Sequence, residues 1–321
     1  MANEIQVETQ DDGVDRRGLL NCMLWAGSGV LWTFAGGVPR SLRIESAEAA
    51  MAAASSSLSF LQISDSHIGF AKEANSDVTA TLRQAVERIN RMPVRPAFVL
   101  HTGDITHLSK PDEFDGAAEV LKGIRTERIH YVPGEHDVLE DDGKSFLNHY
   151  GQGTQGQGWY SFDQSGVHFI GLVNVVDLKA GGLGNLGAEQ LEWLEADLAH
   201  LSASTPIVVF AHIPLWSVYP EWGWGTSDAA QALGYLKRFG SVTVLNGHIH
   251  QVMQKVEGQI AFHTAMSTAF PQPKPGTAKG PGPLKVPADQ LRRLLGITDV
   301  SFVPGQGRLA VVDHPLDQPS A

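Results

Sequence analysis

Five apolar, β-like runs in this chain each stop at side chains of the kind that bind metal ions. The runs are Leu58 to Ser64, Ala97 to Thr102, Arg128 to Pro133, Ile207 to Ala211 and Ser241 to Asn246. They deliver, in order, Asp65 and His67, Asp104, Glu135 with His136, His212, and His248 with His250. In open α/β sheets the carboxyl ends of strands converge on one crevice, so groups far apart in sequence can wall a single site. The pattern therefore predicts a metal centre assembled from strand ends.

Helical periodicity fills the gaps between these runs. Apolar Val78, Leu82, Ala85, Val86 and Ile89 mark a helix within Asp77 to Met92, and Leu191, Leu194 and Leu198 mark another within Ala188 to Leu201. Strand and helix alternate through residue 133 as βαβ units. Beyond the Gly/Gln-rich turn 151–158, the segments Trp159 to Asp163 and Val167 to Val176 flank Ser165-Gly166, which predicts a hairpin. A second run of strand and helix starts at Pro206. The economical architecture is α/β, a two-sheet αββα sandwich with helices outside. One domain is expected over residues 56–321, since no repeat or compositional break divides it. Its Pro/Gly-rich stretch 271–287 should be an irregular loop, a candidate lid or a plain surface excursion, ahead of a short helix at Ala288 to Leu295.

Composition removes several function classes. The formal charge is −11, and residues 1–50 contribute −3 of it, so there is no basic footprint for nucleic acid. With 42% apolar residues in 321, the chain can bury a substantial core. The single cysteine, Cys22, leaves the rest of the chain without disulfide or thiol chemistry.

Residues 1–50 read as a twin-arginine signal peptide. Asp15-Arg16-Arg17-Gly18-Leu19-Leu20 precedes a weakly apolar, Gly/Ala-rich run to Val38, and Ala47-Glu48-Ala49 offers a small-residue cleavage site. Asn21, Ser28 and the glycines dilute that run, so no stable membrane anchor is expected. The implied partner is the twin-arginine export machinery, which carries folded proteins, and the implied location is periplasmic or secreted.

Taken together, Asp65-Ser66-His67, Gly103-Asp104, Gly134-Glu135-His136-Asp137, His212 and Gly247-His248-Ile249-His250 resemble the calcineurin-like metallophosphoesterase superfamily. Its order is Asp-x-His, Gly-Asp, Gly-Asn-His-Asp/Glu, His and Gly-His-x-His, and the likeness covers roughly residues 58–265. The resemblance implies two divalent or mixed-valence transition-metal ions, Fe, Mn or Zn, and a small-molecule phosphate ester as substrate. It gives Asp65, His67 and His250 to one ion, Glu135, His212 and His248 to the other, and Asp104 to both. A hydroxide shared by the ions would attack phosphorus. His136 stands where the family contacts phosphate and protonates the leaving group. Asp137 is a candidate to orient that imidazole, or a plain capping carboxylate.

One position departs from the family: Glu135 replaces Asn. A carboxylate there adds negative charge, which would favour a more highly charged ion such as ferric iron, unless the side chain points away. His107 lies three residues after Asp104, where purple acid phosphatases place a ligating Tyr, and is a candidate extra or supporting ligand. His101 reads as core. The aromatic loop from Pro214 to Trp224 could wall a pocket for an organic leaving group or pack onto the sheet. Asn174 and Asp177 close a further β-like run and could reach the site. The short Gly-Asp-Ile-Thr segment leans toward the phosphodiesterase branch. A metal-binding protein without turnover, with Glu135 closing the shell, and an organophosphate triester hydrolase on the same scaffold are the alternatives.

Overall fold

The computed structural model describes residues 29–35, 38–44, 57–303 and 309–317. The chain divides into two compact units, Met1–Ser56 and Ser57–Ala321. In the first, β1 (Gly29–Ala35) and β2 (Val38–Ile44) pair antiparallel. The arginine pair Arg16-Arg17 and the cleavage site near Ala49 lie outside the described residues. No helix among the described residues is long and apolar enough to cross a membrane.

The second unit holds two sheets. Its strands are β3 (Leu58–Ile63), β4 (Val99–His101), β5 (Ile129–Tyr131), β6 (Tyr160–Gln164), β7 (Val167–Gly171), β8 (Ile207–Ala211), β9 (Val242–Asn246), β10 (Met253–Glu257), β11 (Ile260–Thr264), β12 (Gly296–Phe302) and β13 (Ala310–Pro315). One sheet runs β13-β12-β3-β4-β5 and the other β10-β11-β9-β8-β7-β6. Both centres are parallel: β3, β4 and β5 in the first, β7, β8, β9 and β11 in the second. This is the expected α/β sandwich.

Side-chain alternation explains why the sheets stack and the helices lie outside. Successive residues of a strand point to opposite faces. On β3, Leu58 and Phe60 enter a core shared with Phe169, Val208, Phe210 and Leu245 of the other sheet. Their neighbours Leu61 and Ile63 face outward onto Val78, Leu82 and Ala85 of the helix Val78–Asn90 and Phe114 of the helix Pro111–Leu121. On β8, Val208 and Phe210 point inward, while Ile207, Val209 and Ala211 meet Leu191, Leu194 and Leu198 of the helix Ala188–Leu198 and Ala232 and Leu236 of the helix Ala229–Leu236. Strands buried on both faces read as continuous apolar runs, which is how these sequences look.

The tail, silent in the motif pattern, completes the sheet of β3, β4 and β5. β12 pairs antiparallel with β3, and β13 pairs with β12. Residues 271–287 form an irregular loop followed by the short helix Ala288–Leu294, as the composition indicated.

Candidate metal centre

Parallel pairing puts the ends of β3, β4 and β5 side by side, and the loops that follow stay in register. The Asp65 amide donates to the Gly103 carbonyl at 2.9 Å, and the His67 amide to the Asp104 carbonyl at 2.9 Å. From the facing sheet, β8 ends at His212 and β9 at the Gly247–His250 turn, where the Gly247 amide donates to the His212 carbonyl at 3.0 Å. The His248 amide then donates to the Asp65 carboxylate at 3.1 Å, tying one sheet's turn to the other's first acid.

The backbone is bent hard to do this. Asp65, His67, Asp104, His248 and His250 all have positive φ, between 41° and 71°. That region is uncommon for residues with a Cβ and costs about 1–3 kcal/mol at each position, so it persists where the surroundings over-determine it. Five of the seven ligand-type residues share it.

The side chains meet as two overlapping groups. Asp65, His67, Asp104 and His250 form one, and all four are buried. Glu135, His212 and His248 form the second. Asp104 connects them, its Oδ2 lying 3.4 Å from His67 Nε2 and 3.5 Å from His212 Nε2. His250 Nε2 is 3.2 Å from Asp65 Oδ1 and 3.3 Å from His67 Nε2. Glu135 turns into the centre, with its carboxylate 2.8 Å from His212 Nε2 and 2.9 Å from His248 Nδ1.

The donor set fits cations better than it fits itself. Glu135 Oε2, His212 Nε2 and both ring nitrogens of His248 are buried without a hydrogen-bond partner, even though carboxylate and imidazole stand within ion-pair distance. Buried polar atoms left unsatisfied are costly, and lone pairs aimed at a common point are what a metal relieves. The far nitrogens are held: His212 Nδ1 meets the Thr102 carbonyl at 2.7 Å and His250 Nδ1 the Phe270 carbonyl at 2.5 Å. Such contacts fix the tautomer that turns Nε2 inward.

Charges adjust to this crowding. Burial alone would raise the Asp65 carboxyl, but His250 and His212 hold it below its ordinary range. Glu135 behaves alike: burial opposes ionisation, and His248 and His212 pull it well down. His67 is pushed well below the usual histidine value by burial and by its imidazole neighbours His136 and His250.

His136 borders the centre, its ring 4.8 Å from that of His67, and its Nδ1 meets the His107 carbonyl at 2.7 Å. That contact decides between the two readings of Asp137 in favour of the capping carboxylate. Its carboxylate is fully buried and accepts from the amides of Ile105 (3.1 Å), Thr106 (2.8 Å) and Gly134 (2.9 Å) and from the Thr106 hydroxyl (2.8 Å). With its oxygens engaged by those donors, Asp137 pins the Asp104 loop to the Glu135 loop and does not hold the His136 ring.

Other candidates separate cleanly. His101 is buried under the site, its Nε2 2.8 Å from the Ser66 hydroxyl. Asn174 steadies the segment after His212, donating to the Ile213 carbonyl at 2.8 Å, whereas Asp177 is exposed beside Lys179. In the aromatic loop, Trp216 and Trp224 are buried, Trp216 packs on Phe262 of the sheet at 5.0 Å, and Tyr219, Trp222 and Trp224 pack on one another. Sequence reasoning missed Phe270, whose ring stacks on His67 at 4.7 Å and lies 4.8 Å from His250. It missed Ser267 too, whose hydroxyl donates to the Asp65 carbonyl at 2.8 Å. Neither sits in a motif; Phe270 acts by shape and Ser267 through backbone contacts to Asp65, Ala269 and Phe270.

A two-sheet α/β sandwich with carboxylates and imidazoles gathered at its strand ends defines the class of metal-dependent phosphoesterases. Residues 58–252 match the calcineurin-like phosphoesterase family, and the chain belongs to it. It is 28% identical over 200 residues to a probable cyclic nucleotide phosphodiesterase of Rhodopseudomonas palustris, covering 58% of this chain and 69% of that protein. It is 25% identical over 216 residues to a probable glycerophosphodiester phosphodiesterase of Arcobacter nitrofigilis, covering 64% and 77%. Among solved structures, a dimetal phosphatase from Danio rerio superposes with a TM-score of 0.63 at 15% identity, over 81% of this chain and 97% of that one.

Proposed function

We propose that the chain is a dinuclear metal-dependent hydrolase of phosphate esters, acting on diesters in preference to monoesters. The observation that carries this is Asp104 Oδ2, placed almost equally from His67 Nε2 and His212 Nε2, with a separate set of donors on each side. Asp65, His67 and His250 would hold one ion, Glu135, His212 and His248 the other, and Asp104 both. Iron, manganese or zinc suits this mixture of oxygen and imidazole donors, with ferric iron favoured by Glu135. Ions bound there supply charge neutralisation on the phosphate and water activation near neutral pH. His136, its Nδ1 tied to the His107 carbonyl, keeps Nε2 for the substrate and serves as the proton donor to the leaving oxygen. The lean to diesters draws on the two relatives above, both named as probable phosphodiesterases.

A second reading rests on Glu135, whose two oxygens reach both His212 and His248 and would close the coordination shell of a non-catalytic metal-binding protein. An organophosphate triester is the remaining substrate class for the scaffold. Metal analysis of the purified chain, paired with hydrolysis of bis(p-nitrophenyl) phosphate, p-nitrophenyl phosphate and a triester, separates these. Two ions with faster diester cleavage is the expected result. Two ions without turnover of any ester supports the non-catalytic reading, and a single ion overturns the dinuclear one.

The proposed location is periplasmic or secreted, after twin-arginine export and removal of residues 1–50 from a catalytic domain spanning 56–321. Replacing Arg16 and Arg17 by lysine should leave the protein in the cytoplasm. Unchanged export would sink that assignment.

A further inference from the structure

Three ligand imidazoles of the proposed centre have an anchored rear nitrogen, and one anchor differs in kind. His212 and His250 lean on backbone carbonyls. His67 instead faces another side chain, its Nδ1 lying 3.4 Å from Nδ1 of His107. The same residue receives His136 Nδ1 on its carbonyl at 2.7 Å and stacks its ring on that of His136, 4.9 Å apart and 15° from parallel.

We infer that His107 is a positioning residue that sets the tautomer of both His67 and His136. A contact between two imidazole nitrogens needs one proton between them. If Nε2 of His67 is the ligand, its Nδ1 carries the hydrogen and donates to His107 Nδ1, which leaves the His107 proton on Nε2. His136 in turn donates from Nδ1 to the carbonyl, so Nε2 is the nitrogen left to face substrate.

The ring of His107 is itself built in. Its amide donates to the Ile68 carbonyl at 2.9 Å and to Glu113 Oε2 at 3.2 Å. Glu113, buried on its helix, also accepts from the Leu108 amide at 2.7 Å. Phe70 closes one side, edge to face with the imidazole at 5.2 Å. His107 is therefore held toward the centre without belonging to the set that surrounds Asp104.

The inference rests on the ligand reading above, and its test does not need turnover. The 15N spectrum of the metal-free full chain should show His67 and His136 protonated at Nδ1. In His107→Ala the His67 population should mix while that of His136, held by a backbone carbonyl the variant keeps, should not, and Mn2+ titration should show one of two sites weakened about 10- to 100-fold, the usual effect of losing an imidazole's outer partner. His107→Asn, which keeps an acceptor, should recover most of that loss. Nε2-protonated His67 in the wild type, or an unchanged His67 tautomer and affinity in His107→Ala, would overturn the inference. A wild type with the expected tautomers and no ester hydrolysis would instead count against the proposed function alone.

Discussion

The α-carbon of Gly134 lies so close to Asp104 that a methyl group in place of its hydrogen would overlap Oδ1 and the amide nitrogen of that aspartate. The glycine is required by proximity, since its own φ of −98° suits any residue. Gly134→Ala should therefore displace the one carboxylate shared by both donor groups. The expected outcome is a fall of at least about 100-fold in kcat, as a small misplacement of reacting groups can produce, with loss of bound metal and a stability cost of about 1–3 kcal/mol from overpacking. Metal content, kcat and a urea midpoint measured on one preparation check it; wild-type metal content would refute the displacement.

Glu135 gives a second test. Its carboxylate reaches two imidazoles of the second donor group, so Glu135→Asn removes one negative charge together with one methylene of reach, and Glu135→Gln removes the charge alone. A less anionic site binds its ion more weakly and leaves that ion more polarising. Either variant should retain less of the ion held by Glu135, His212 and His248 after dialysis, lose any preference for ferric iron, and show the acid limb of its pH–rate profile moved to lower pH. If metal content and profile both stay as in the wild type, the substitution does not tune the site.

The strand ends were legible because apolar runs on β3, β8 and β9 stop abruptly at ligand-type residues, and the motif order made their convergence readable. Glu135 could have pointed either way from sequence alone; it points inward because the 3-10 turn Glu135–Asp137 is pinned through Asp137 to Ile105, Thr106 and Gly134. Asp137 stood open in the sequence between orienting the His136 ring and capping a turn; four nearby donors claim its carboxylate, which is the second. β12 and β13 escaped notice because a strand that only extends a sheet carries no chemistry, and Phe270 did because ring stacking leaves no spacing signature.

Metal removal should be visible in stability. Ions that bind only the folded chain stabilise it by mass action, about 2.7 kcal/mol at a ligand concentration one hundred times Kd. They also relieve the orphaned atoms on Glu135, His212 and His248. Chelation should lower Tm, and adding Mn2+ or Zn2+ should restore it. In Asp104→Ala the restoration should be much smaller and hydrolysis should vanish. Undiminished turnover in that variant would end the two-ion account.

Far from the centre, His168 supplies a pH test free of metal. Burial opposes its charge, but Asp197 at 2.9 Å and Asp163 at 2.8 Å outweigh it and raise its pKa above the ordinary value. The folded state then holds the proton more tightly than the unfolded chain, whose histidine titrates near about 6.5. Stability from this group is fully present below that value and is lost as pH rises through the folded pKa. The difference in urea midpoint between wild type and His168→Gln should be largest below the unfolded histidine value and shrink as pH rises above it. A difference that stays constant or grows with pH would show that the contact is uncharged packing. Neither outcome bears on the metal centre, because His168 pairs β7 with β6 and the helix Ala188–Leu198, away from the strand ends that carry the ligands.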